Sequence, residues 1–99
     1  MTKMKKINLA LQVLPKSKEK DSYALVDEAI KIIDQSGVRY RVTPFETVME
    51  GEYDKLMKII KEVQDACFKE GADELMVYIK MQIRKDRDVE IRDKMEKYD

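Results

Sequence analysis

A lone carboxylate, Glu50, closes the extended-looking run of residues 45–49, and Gly51 follows it at once. An acid in that place can be a solvated turn residue, a helix-entry charge or a hydrogen-bond acceptor for a ligand. Glu52 lies two residues on, so an extended chain would point both carboxylates to one side, as a general acid–base pair requires. Glu52, however, precedes a helical pattern, where a first-turn acid favours the positive helix end. Other chemistry has few carriers. The chain has no histidine to serve as a base and a single cysteine, Cys67, which cannot form an internal disulfide. That pair of facts argues against a zinc site and against Cys–His nucleophilic catalysis, and it favours a reducing compartment. Cys67 also falls on the apolar stripe of a helix, where a structural thiol is expected. Arg39 and Arg41 alternate in a pattern that suits an anion site, but alternating basic residues also protect exposed strand edges. The methionines Met49, Met57, Met76 and Met81 read as core filling.

These residues need elements to hold them. Large apolar residues at Ile7, Leu9, Leu11 and Val13 recur with period two, predicting a strand with one apolar face. Asn8, Ala10, Gln12 and Leu14 share its other face, and Pro15 is expected to end it. Asp21 or Ser22 can cap the next element, "YALVDEAIKIIDQSG". Val26, Ala29, Ile30 and Ile33 form its stripe, and Gly37 is the expected left-handed stop. "VRYRVTP" alternates again, with Val38, Tyr40 and Val42 on one face, and "FETVME" follows the Pro44 turn as its hairpin partner. Gly51 is read as a chain break. After it, "EYDKLMKIIKEVQDACFKEG" places Tyr53, Leu56, Ile60, Val63 and Cys67 on one helical stripe. A last strand, "DELMVYIKMQIR", sets Leu75, Val77, Ile79, Met81 and Ile83 on one face, with Met76, Tyr78, Lys80, Gln82 and Arg84 on the other. Residues 85–99 form a charged tail or short helix whose large aliphatics are Val89, Ile91 and Met95.

Strand, helix, strand, strand, helix, strand over 99 residues predicts one domain, residues 1–99, of the α+β class. The expected architecture is a ferredoxin-like split βαβ sandwich (βαββαβ): a four-stranded antiparallel sheet with two helices on one face. The second face is left bare. Leu14, Met76 and Tyr78 on it predict self-association into a homodimer or homotetramer.

Fold alone decides no function. The 20 basic and 20 acidic residues cancel, so no net field attracts nucleic acid or anionic lipid. An RNA-binding sheet would carry stacking aromatics on its central strands, but these carry Asn8, Ala10, Gln12, Thr47, Val48 and Glu50. No Cys-x-x-Cys serves a metal, and "LPKSKEKD" has no glycine to build a phosphate nest. The apolar run from Ile7 to Leu14 is short and broken by Asn8 and Gln12, so neither a signal peptide nor a membrane span is read there. The expectation is a cytoplasmic protein with no membrane or nucleic-acid partner, no catalytic residue, no metal and no cofactor.

The segments "LALQVLP", "YALVDEAIKIIDQSGVRYRVTPFETVMEGEYDKLMKII" and "VYIKMQIRKDR" together closely resemble the small thiamine-binding protein family. The resemblance spans residues 7–87. Its most specific part is Ser36-Gly37, Tyr40, Pro44 and the T-x-x-E-G run of Thr47, Val48, Met49, Glu50 and Gly51. It implies a ferredoxin-like homo-oligomer whose sheets pair, binding thiamine or its hydroxymethylpyrimidine moiety without catalysis. Chemistry then has a use for Glu50: a carboxylate accepts from the exocyclic amine or a protonated ring nitrogen and offsets the thiazolium charge. Thr47 and Gln12 both donate and accept, which suits a pyrimidine edge, and Tyr40 or Tyr78 can lie against a flat cation. Thr47 and Glu50 are an odd number of residues apart, so a regular strand points them to opposite faces unless a bulge intervenes. The alternative reading is a regulatory or structural oligomerisation module that binds no small molecule.

Overall fold

A computed structural model describes residues 5–99. Its elements run β1 (Lys6–Lys16), α1 (Ser22–Gln35), β2 (Arg39–Val42), β3 (Thr47–Glu52), α2 (Tyr53–Lys69), β4 (Glu74–Gln82) and α3 (Ile91–Met95), closed by a 3₁₀ turn, Glu96–Tyr98. The four strands form one antiparallel sheet in the order β2-β3-β1-β4. Helices α1 and α2 pack on one of its faces and against each other. This is the ferredoxin-like α+β sandwich that the element order predicts.

Ile7, Leu9, Leu11 and Val13 all face the helices and are buried, as period two requires. Pro15 does not end β1, which continues to Lys16. β3 reaches only as far as Leu11, opposite Thr47, so beyond that residue β1 has β4 as its one neighbour. A strand with an open side tolerates a missing amide donor. Asp21 caps α1 by accepting from the Tyr23 amide at 3.4 Å. The buried residues of α1 are Leu25, Ala29 and Ile33, while Val26 and Ile30 flank them half-buried, a stripe rotated slightly from the one expected. Gly37 ends the turn after α1 at φ +81°. The β2–β3 hairpin is closed by Thr43, whose amide donates to the Glu46 carbonyl at 3.0 Å and whose Oγ1 accepts from the Glu46 amide at 3.1 Å.

Gly51 does not break the chain; it lies inside β3. A Cβ there would stand 3.3 Å from Leu56 Cδ2, so the glycine lets α2 fold tightly back onto the strand. Leu56, Ile59, Ile60, Val63 and Cys67 are the buried residues of α2, and Tyr53 in its first turn is exposed. On β4 only Leu75 and Val77 pack against the core; Ile79 and Met81 on the same face are exposed, as is Ile83 just beyond the strand. The other sheet face is not wholly bare, as the sequence predicts it to be. The segment around Val89 crosses it, and Val89 is fully buried there.

Candidate functional site

The register of β1 with β3 runs without interruption from Lys6 opposite Glu52 to Leu11 opposite Thr47. No bulge re-aims a side chain, so Thr47 and Glu50 face opposite sides of the sheet. Glu50 lies on the face away from α1 and α2, opposite Asn8 on β1 and Arg39 on β2, and is 7% exposed. Its Oε1 accepts the Ile91 amide at 2.7 Å. Glu90, the residue before α3, makes no side-chain capping bond, so Glu50 takes over that task from another part of the chain. Beside it, Asn8 is 4% exposed; its Nδ2 donates to the Val89 carbonyl at 2.9 Å, and its Oδ1 is buried without a partner among the described residues. The crossing segment is held further by Val89 N–H to the Lys6 carbonyl at 3.0 Å and by the Asp88 carboxylate, which accepts from the Lys6 amide at 2.8 Å.

Next to Glu50 a groove of about 420 Å³ is lined by Lys6, Arg39, Gly51, Glu52, Lys55 and Asp88, among others. Three acids, with Glu50, balance three bases around it.

The other expected site residues are not gathered at Glu50. Gln12 shares its face but sits four residues further along β1 than Asn8, roughly 14 Å away at the antiparallel rise. Tyr40 lies opposite the fully buried Met49, on the helix side, and its hydroxyl donates to Asp34 Oδ1 at 2.7 Å. That bond, burial and the Asp34 charge all raise the Tyr40 pKa. Thr47 is 7% exposed on the helix side as well. It does line a mostly apolar cavity of about 200 Å³ with Gln12, Leu11, Ile33, Val42 and the exposed Phe45. Sites for drug-sized ligands run to about 300–1,000 Å³, so this cavity has room for one ring at most.

Arg41 forms an ion pair with Asp99 at 2.8 Å, which ties the chain end to β2. Lys94 has its pKa lowered by burial and by Arg84. Cys67 is fully buried against the Leu25 carbonyl, and burial first, then Glu28, raises its pKa, the reverse of an activated thiol. Among the described residues no group of three or more His, Cys, Asp or Glu could hold a metal ion. No described helix is long and apolar enough to cross a membrane.

Asn8, Asp88, Val89 and Ile91 were not singled out by the sequence as site residues. One signal was present: "DVEI" alternates charged and aliphatic residues inside an otherwise charged tail, the mark of an extended segment with one apolar side.

The second face of this ferredoxin-like sandwich thus holds a buried carboxylate and a buried amide opposite each other, with a mixed-charge groove next to Glu50. The model of a family described as "Thiamine-binding protein" matches residues 9–99. The chain belongs to that family. It is 38% identical over 78 residues to a UPF0045 protein of Clostridium perfringens, covering 79% of this chain and 82% of that one. A Bacillus cereus structure described as a domain of unknown function superposes with a TM-score of 0.93 at 41% identity, covering 97% of this chain and 92% of that chain. A Thermotoga maritima structure, titled provisionally as a thiamine biosynthesis/salvage protein, superposes with a TM-score of 0.85 at 24% identity, over 95% and 99% of the two chains. At that identity the likeness speaks for the fold.

Proposed function

We propose that the protein binds thiamine or its hydroxymethylpyrimidine moiety without catalysis, as a cytoplasmic homodimer or homotetramer, with Glu50 as the ligand carboxylate. Membership of the thiamine-binding family over nearly the whole chain supports the ligand class. The single observation that carries the site is Glu50, buried and among the residues of that groove, with a second buried polar side chain, Asn8, opposite it on β1. An amine or protonated ring nitrogen bound to that carboxylate forms a charge-assisted bond of about 1.5–3 kcal/mol, against about 0.5–1.5 kcal/mol for a neutral one. Gln12, Thr47 and Tyr40 are then left to a second place: Gln12 and Thr47 to the small cavity, Tyr40 to its bond with Asp34.

Self-association is supported by β4. Among the described residues it is an edge strand with one side unpaired, and it exposes Met76 and Tyr78 on one face and Ile79 and Met81 on the other. Leu14 extends the first patch and Ile83 the second. Apolar residues on both faces of an open edge are avoided in monomers.

The experiment is titration calorimetry with thiamine and with hydroxymethylpyrimidine, with sedimentation velocity on the same sample. Saturable binding near one site per chain is expected, weakened about tenfold in Glu50→Gln as a charge-assisted bond becomes a neutral one. Binding that Thr47→Val weakens and Glu50→Gln does not would move the site to the small cavity. Absence of saturable binding overturns the proposal. It would favour the ligand-free oligomerisation module, a reading supported by the bond through which Glu50 caps α3.

A further inference from the structure

Two features of the second sheet face do not fit a purely structural account. The segment from Asp88 to Ile91 satisfies one oxygen of Glu50 and the amide nitrogen of Asn8, yet it leaves Asn8 Oδ1 buried with no partner among the described residues. The Asn8 orientation is dictated by its neighbour: the Val89 carbonyl can only accept, so Nδ2 must face it and Oδ1 must face away. Buried amide oxygens are nearly always paired, and an orphan marks a position where a donor belongs.

The groups that the segment offers are also informative. It presents a backbone N–H, from Ile91, to a carboxylate, and a backbone C=O, from Val89, to an amide donor. A planar aminoheterocycle presents the same donor–acceptor pair along one edge: an exocyclic N–H for the carboxylate and a ring nitrogen lone pair for the amide. Its second N–H is the donor that Asn8 Oδ1 lacks.

We propose that residues 88–91 are an intramolecular stand-in for the ligand, a strap that holds Glu50 and Asn8 in the resting chain and must lift before an aminopyrimidine edge can take both. This rests on Glu50 being the ligand carboxylate, and it adds Asn8 as the residue that reads the ring nitrogen. The strap is anchored to leave as a unit. Val89 is its one fully buried side chain, and Asp88 ties it to the Lys6 amide. Its outer end is held by the exposed Arg41–Asp99 pair, which salt screens. Ligand affinity is therefore discounted by the fraction of chains with the strap lifted, and weakening the strap removes that discount.

The test compares the full-length chain with its Val89→Ala variant, using hydroxymethylpyrimidine as the probe and the Ile91 amide as the reporter. Calorimetry is expected to show binding about thirtyfold tighter in Val89→Ala, the effect of losing two buried methyl groups and their packing from the closed state alone. Hydrogen exchange at the Ile91 amide is expected to speed up as hydroxymethylpyrimidine saturates the wild-type chain. If Val89→Ala does not fold, Val89→Thr, of nearly the same volume, carries the same comparison by setting a hydroxyl where a buried methyl group packs. Binding with unchanged affinity in the variants, and with the Ile91 amide still protected, overturns the strap while the ligand reading stands. No binding to wild type or variants overturns both.

Discussion

Val89 offers the sharpest test of whether the C-terminal segment belongs to the folded unit. It is 0% exposed, and it sits between the Lys6 carbonyl, which its amide reaches at 3.0 Å, and Asn8 Nδ2, which its carbonyl accepts from at 2.9 Å. Val89→Ala keeps both backbone bonds and deletes two buried methyl groups. At about 0.8 kcal/mol per buried carbon, the transfer term is roughly 1.6 kcal/mol, and an unfilled cavity brings the cost to about 2–3 kcal/mol. The measured loss has a ceiling, namely the docking free energy of the segment itself, because beyond that point the segment detaches and the sandwich persists without it. Urea unfolding therefore carries two signals. A drop of about 2 kcal/mol at constant m-value means the segment unfolds with the domain; a smaller drop with a reduced m-value means it came off first. In heat, about 2 kcal/mol corresponds to roughly 8–16 °C in a domain of this size. A change below about 0.5 kcal/mol, with the Ile91 amide exchanging as in wild type, would refute the claim that Val89 is packed as described.

Two further outcomes are expected beyond those set out above for ligand binding. Gly71→Ala should destabilise more than Gly37→Ala: both glycines have positive φ, +117° and +81°, but a Cβ at Gly71 meets Lys20 Cγ at 2.9 Å while Gly37 faces open space. Chemical denaturation should find about 1 kcal/mol for Gly37→Ala from conformation alone, and a larger loss for Gly71→Ala. Equal losses would show that the Lys20 side chain simply moves aside. Cys67 should resist a disulfide reagent in the native protein and react once unfolded. Its folded pKa is raised by burial, so its contribution to stability is present below the ordinary thiol value of 9.0 and declines as pH rises through the folded value. Cys67→Ala should flatten that alkaline decline in a pH series of unfolding curves. An unchanged slope would assign the decline to other groups.

How far the chain can be read without its structure differs from element to element. Period-two runs in β1 and β4, the three–four spacing in α1 and α2, and the stop at Gly37 are local patterns. Local patterns survive in one dimension because steric and hydrogen-bonding rules act within a few residues. The odd separation of Thr47 and Glu50 was equally legible and correctly forecasts opposite faces; only the unbroken register with β1 rules out a bulge. The exposed Ile79, Met81 and Ile83 were not legible as exposed. Ile79 and Met81 stand opposite Leu11 and Leu9 of β1, which are buried under the helices, so the helical layer reaches that height of the sheet but stops short of its edge. β4 is the edge strand, and the apolar patterning there is left without cover because two helices do not span the width of four strands.

The site shows the same division. Sequence alone determined that a carboxylate ends the T-x-x-E-G run, that the fold is a ferredoxin-like sandwich, and that the chain resembles a thiamine-binding family. Only the tertiary structure decided what meets Glu50. The bonds from residues 88–91 return to Lys6, Asn8 and Glu50 across 41 or more positions of chain. Contacts at that separation are set by where the sheet places its second face, and a four-residue alternation in a charged tail does not encode which strand it will cross.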